Sequence, residues 1–198
     1  SIFDKDIKKK ISNYKFDAIV ALGLIEYFPL SSINSFLKLL NKLSANNNKI
    51  ILGSRNRLFN LYSYNEFTEY EEKIGNINKM HNEVKKIFSC SNQNELIKEL
   101  SNFRVLKKYP SFLPNTSPVN IDLRLQFTPA DLIQRCLKAG LKVYKLWVVN
   151  YHPFSVKISN LKNYQDLKNL VNEKIPIQDL NKKELLPNSS TFIIECGV

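Results

Sequence analysis

With 198 residues the chain has the size of one domain, and two full domains are excluded as a starting expectation. Its 29 basic and 18 acidic side chains leave a net charge of +11, while 43% hydrophobic residues can supply a core, so wholesale disorder is excluded. The longest apolar run, AIVALGLI at 18–25, is far short of the ~20 residues of a membrane span, and no small-residue cleavage site follows it.

Residues 17–25 read as the first strand, buried on both faces, because the run is continuous and carries β-branched Ile19 and Val20. Pro29 and the Ser31-Ser32 pair then start a helix over 32–43. Its stripe of Ile33, Phe36, Leu37, Leu40 and Leu43 recurs at helical spacing. A turn is expected at Ala45-Asn46-Asn47-Asn48 and a second buried strand at 49–53, so the two strands should be parallel as a βαβ unit. Residues 65–102 are polar and mostly helical in pattern, with segments near 66–72, 80–88 and 95–100. Three prolines within 109–122 predict an extended loop.

Thr128-Pro129-Ala130-Asp131 opens a further helix, with Thr128 as cap, Pro129 in the first turn and Asp131 returning a bond to the cap. Leu132, Ile133, Cys136 and Leu137 would be its buried face, and Gly140 its left-handed end. A third strand follows at 141–150 with Tyr144 and Trp147 in the core, then a helix within 160–181 and a final strand at 191–196. The sum is an α/β layer protein with strand ends that can carry a site. Its three cysteines, Cys90, Cys136 and Cys196, are too far apart in sequence for a disulfide framework or a metal site and suit a reducing, cytoplasmic setting. The positive charge is mostly lysine, spread evenly and not interleaved with aromatics, which reads as a solvated surface; nucleic acid stays an alternative partner.

The stretch FDAIVALGLIEY at 16–27 resembles the fourth strand and following turn of class I, Rossmann-like methyltransferases that use S-adenosylmethionine (SAM). The later elements resemble that family in order. The helix at 32–43 is similar to the one after the fourth strand, and 49–54 to the fifth strand. FTPADL at 127–132 with Ala139-Gly140-Leu141 is similar to the element before the sixth. Residues 191–196 would be the seventh, antiparallel and inserted to give the order 4-5-7-6. The chain departs from the family in one respect. Its five glycines are scattered, so it carries no Gly-rich phosphate or nucleoside loop, and no acidic residue after a second strand. The resemblance therefore implies a single partial domain over 1–198, the second half of the catalytic domain, with a variable helical and loop insertion at about 65–122. A first strand at 17–25 would also leave a sheet edge unpaired, which an N-terminal segment or another chain should cover.

The resemblance implies SAM as cofactor, bound fully only with the N-terminal half, so that this portion alone is expected to be inactive. Ala21, Leu22 and Gly23 would line its methionine part, with Gly23 either admitting a close ligand or merely fitting a turn. Asp6, or Asp4, stands near the family's acidic adenine contact, and is equally readable as an exposed terminal charge. Glu26 is either a site carboxylate or a helix-start charge favoured by the helix dipole. Ser54, Arg55, Asn56, Arg57 and Asn60 follow directly on a buried strand, where an open sheet places its ligands, and would bind the acceptor. Asn65, Phe67 and Thr68 could extend that wall. His152, after the third strand, could serve as base or bond a loop, whereas His81 falls in the insertion and reads as surface. No metal site is expected. These residues describe methyl transfer to a small polar acceptor such as a sugar or a surface-polysaccharide precursor. The alternatives are an RNA or protein methyltransferase steered by charge, and a non-catalytic half-domain that binds a partner, whether a second copy or a complementing N-terminal segment.

Overall fold

The computed structural model describes residues 5–104, 106, 109, 124–152, 165, 169 and 182–198. Most of the loop expected at 109–122, the helix expected within 160–181 apart from Gln165 and Asn169, and Asp4 lie outside the described residues. A short helix α1 (Lys5–Ile11), which the lysine-rich start does not announce, precedes strand β1 (Phe16–Ala21). Helix α2 (Leu30–Leu43) then leads to β2 (Ser44–Arg55). Four helices follow: α3 (Asn60–Ser63), α4 (Glu66–Lys73), α5 (Ile77–Ser89) and α6 (Gln93–Ser101). The chain closes with α7 (Pro129–Lys138), β3 (Lys142–Tyr151) and β4 (Ser189–Gly197).

The four strands form one sheet in the order β1-β2-β4-β3. Strand β1 is parallel to β2, while β4 is antiparallel to both β2 and β3. The arrangement is the 4-5-7-6 order, with an antiparallel strand inserted, that the sequence resemblance implies. Three strands, β1, β2 and β3, therefore run the same way and end at the same edge.

Helix α2 buries the five residues of its predicted stripe, Ile33, Phe36, Leu37, Leu40 and Leu43. Each such burial is worth about 1.5–3 kcal/mol, so the helix is held by packing more than by its own propensity. Helix α7 is capped as expected, with the Asp131 amide donating to Thr128 Oγ1 at 3.3 Å. Two details differ. Asp131 turns to Arg135 and Tyr109 instead of back to the cap, and Leu137 is exposed because α2 and the sheet cover only the Leu132–Cys136 side. At the end of α7, Gly140 takes φ +82°, where a Cβ would stand 2.7 Å from Asn41 Nδ2. That nitrogen donates to the Ala139 carbonyl, tying α7 to α2.

The first strand is a correction. It stops at Ala21, short of Ile25, and most of it is exposed, with Val20 at 63%. It lies at the sheet edge and pairs only with β2, so an apolar pattern that suits a central strand meets solvent among the described residues. The expected turn at 45–48 is a bulge within β2: Phe16 pairs with Ser44 but Ala18 with Lys49, and Asn47 takes φ +59°. Tyr144 and Trp147 are also not core. A register shift between Val143 and Lys145 throws Tyr144 out to 43% exposure, and Trp147 is half-buried beneath the Lys145 ammonium. Gly53 shows why β2 follows β1 so closely, since a Cβ there would lie 2.9 Å from Leu22 Cδ2 and 3.3 Å from the Leu22 backbone.

The insertion helices are anchored by buried carboxyl groups. Glu83 of α5 is fully buried and accepts a hydrogen bond from the Ala130 amide at 2.9 Å, at the start of α7. Burial, opposed by that bond, pushes its carboxyl up to about 7 from 4.5. The folded state then holds the proton more tightly than the unfolded chain. Glu83 stabilises fully below about pH 4.5, and that contribution fades as pH rises to about 7, by an amount on the order of 3 kcal/mol. Urea unfolding between pH 4.5 and 8 should show wild-type stability falling relative to Glu83→Gln; parallel pH profiles for the two would contradict this.

Candidate functional site

The carboxyl edge of the sheet opens into a cleft of about 280 Å³. Strand β2 delivers Arg55 and Asn56 to it, and β3 delivers His152. Ser190 enters from the start of β4, because that strand runs the opposite way. The segment at 125–127 lies alongside the end of β2: Arg57 N donates to the Phe127 carbonyl at 2.9 Å, and Phe127 N to the Arg55 carbonyl at 3.2 Å. It thereby carries Arg124 and Gln126 to the same opening.

Of the predicted catalytic pair, His152 stands in the cleft and Glu26 beside it. The His152 ring nitrogen Nε2 lies 3.0 Å from Ser190 Oγ, and its amide donates to the Asn188 carbonyl at 2.9 Å. Its ring lies against Phe59, with centroids 4.9 Å apart. Glu26, in a 3₁₀ turn after β1, is buried and is neither a lone helix-start charge nor free in the cleft. Its Oε2 meets Arg55 Nε at 3.4 Å and Arg124 Nε at 3.3 Å. Burial raises its carboxyl above the usual range, and the Arg124 guanidinium opposes that rise.

The predicted acceptor-binding stretch divides. Arg55 and Asn60 face the cleft, and the Asn60 amide donates to Gln126 Oε1 at 2.7 Å. Asn56 also borders it, but its amide is spent holding the chain: Nδ2 donates to the Leu186 and Ser189 carbonyls at 2.7 and 2.9 Å, and Oδ1 accepts from Leu58 N. Ser54 is fully buried on the opposite face of β2 from Arg55, as strand alternation requires, with its hydroxyl on the Arg55 carbonyl. Arg57 is a clear correction. Its guanidinium is 1% exposed and grips Glu71 of α4 through Nε–Oε1 at 2.6 Å and Nη2–Oε2 at 2.9 Å. It lies over the Tyr109 ring, 5.2 Å from its centroid, so a buried cation took a buried anion and an aromatic face as partners.

Asn65 and Phe67 do border the cleft, whereas Thr68 serves the capping box of α4 and donates to the Asn60 carbonyl at 2.6 Å. Ala21 is buried at the end of β1, and Leu22 and Gly23 are exposed just beyond it, Gly23 at φ +62°. Asp6 is exposed on α1 and is not among the residues bordering the cleft, and His81 is exposed on α5. Arg124, Gln126 and Ser190 escaped the sequence reading. Gln126 had a signal, since it alternates with apolar Leu125 and Phe127 as an extended segment does. Among the described residues no group of three His, Cys, Asp or Glu could hold a metal, and no helix is long and apolar enough to cross a membrane.

The Arg57–Glu71 pair carries a stability prediction. Glu71→Gln leaves the Arg57 charge buried and uncompensated, at a cost of about 3–5 kcal/mol, whereas replacing both residues by methionine should cost less. Urea unfolding reads the difference. A loss below about 1 kcal/mol for Glu71→Gln would contradict the pairing.

No family model matches the sequence, and no curated protein matches it. Among solved structures the chain aligns over its whole length with PKMT2 from Rickettsia typhi, at 15% identity and a TM-score of 0.45. It aligns likewise with PKMT2 from Rickettsia typhi in complex with AdoHcy, at 14% identity and a TM-score of 0.43. In both cases it spans 37% of the length of the chain it matches.

Proposed function

We propose that the chain is the acceptor-side part of a class I methyltransferase domain and takes part in methyl transfer from SAM to a small polar acceptor. The observation that carries this reading is the sheet: two parallel strands, then β4 inserted antiparallel ahead of β3. The FDAIVALGLIEY turn falls at the carboxyl end of β1, beside the cleft, as the same reading requires.

The residues present fit one end of the cofactor. Leu22 and Gly23 are exposed just beyond the end of β1, with Ala21 buried behind them, and would face the methionine part, while nothing in this chain supplies the Gly-rich loop for the nucleoside. When bound, SAM supplies an electrophilic methyl group on a sulfonium. The chain's own work is to place the acceptor in line with that methyl group and to exclude water. Asn60, Gln126 and Ser190 offer hydrogen bonds to hydroxyl or carbonyl groups of the acceptor. His152 takes the proton that an acceptor hydroxyl loses as its oxygen attacks, using Nε2 after release from Ser190.

Isothermal calorimetry with SAM, on this chain and on the chain joined to the polypeptide encoded directly before Ser1, tests the reading. Binding is expected for the longer chain and not for the shorter. His152→Gln in the longer chain should then retain SAM binding and lose about 10²-fold or more in transfer rate. Absence of SAM binding by both would favour the partner-binding half-domain instead, a reading that the open edge of β1 supports.

A further inference from the structure

Among the described residues the charges at the cleft do not balance. Arg124 Nε donates to Glu26 Oε2 at 3.3 Å, and Arg55 Nε lies 3.4 Å from the same oxygen as an ion pair, so two guanidiniums share one carboxylate. If Glu26 is ionised, one positive charge is left over; if it holds its proton, two are. Glu26 is nearly closed off, at 6% side-chain exposure, whereas Arg55 keeps 40% and Arg124 keeps 21%. Among the described residues no hydrogen bond engages the terminal nitrogens of either arginine, and both residues border the cleft. Two planar forks held side by side through their Nε atoms leave their remaining N–H groups available to an oxygen-rich anion, the geometry that carboxylates and phosphates accept.

The rest of the cleft suits the remainder of such a molecule. The Asn60 and Gln126 amides and the His152–Ser190 pair provide hydrogen-bonding groups, and Phe59 and Phe67 provide apolar wall. At about 280 Å³ the space equals that of about nine waters, which limits the bound part to a small molecule or one residue of a larger one. We infer that the acceptor carries an anionic oxygen group, a phosphate or a carboxylate, gripped jointly by Arg55 and Arg124, with Glu26 as the buried brace that aligns them. The inference rests on reading this cleft as the acceptor site. An acceptor bearing an ammonium group would meet the same surplus as repulsion.

Calorimetry at low salt on the full chain, with glucose 6-phosphate, glucuronate and glucose as probes and no SAM present, tests it. Saturable binding of at least one anionic probe is expected, with glucose about tenfold or more weaker. Arg55→Gln and Arg124→Gln should each weaken anion binding by about tenfold. Glu26→Gln keeps an oxygen for the two guanidiniums but removes the competing negative charge, so anion binding should tighten, an effect opposite to simple damage, and thermal melts establish that each variant is folded. Preference between the two anionic probes tells a phosphorylated acceptor from an acidic one. Glucose binding as well as the anions, no probe binding at all, or anion binding indifferent to all three substitutions would overturn the inference. Because SAM is absent from this titration, failure of SAM binding counts against the transferase reading alone.

Discussion

Because β4 runs antiparallel between β2 and β3, its first residues sit at the edge where the parallel strands finish. Ser190 can reach His152 only through that reversal, and the start of β4 closes one side of the cleft. One amide then fixes the junction. Asn56 bonds the carbonyls of Leu186 and Ser189 while capping the turn that follows β2. Losing it would take the side-chain donor from the Ser189 carbonyl and leave the Leu186 carbonyl only the Ser189 amide, so the cleft depends on a residue whose own N–H groups are already used.

A second constraint joins the insertion to the sheet. Helices α4 and α5 bring Glu71 and Glu83 into the interior, and each finds its partner outside those helices: Glu71 on Arg57 and Glu83 on the first turn of α7. Glu71 Oε2 also accepts from Asn76 Nδ2 at 2.9 Å, which locks the turn between α4 and α5. Buried carboxylates are costly unless satisfied, so these contacts specify where the insertion docks more than they add to stability. Asn60 connects the two roles, since its amide reaches Gln126 in the cleft and lies 3.5 Å from Glu71 Oε1 behind it.

Much of the fold was readable from periodicity. The stripe of α2, the caps of α7 and the alternation of β3 are local signals, and the strand order followed from the resemblance at 16–27. What local pattern could not give is which neighbours a segment meets. An apolar run such as AIVALGLI looks the same whether other elements cover its faces or not, which is why it reads as buried on both faces although β1 lies at the exposed edge that the order 4-5-7-6 implies. Arg55 and Arg57 look alike in sequence, yet one ends a strand facing the cleft and the other turns inward to an anion fourteen positions further on, in α4. Ser54 and Arg55 were separable by strand alternation alone. Arg124 sits at the end of a proline-rich stretch, where nothing in the sequence signals that it will share Glu26 with Arg55.

The account stands on the carboxyl edge of β1 and β2 being a place where sulfonium chemistry meets an acceptor. A crystal structure of the chain together with the N-terminal half that the proposed function calls for, grown with S-adenosylhomocysteine, measures this most directly. The account predicts the sulfur of that molecule over Ala21–Gly23 and facing the cleft between Arg55 and His152. Density for the ligand elsewhere, or a β1 edge that packs against something other than a parallel strand, would contradict it.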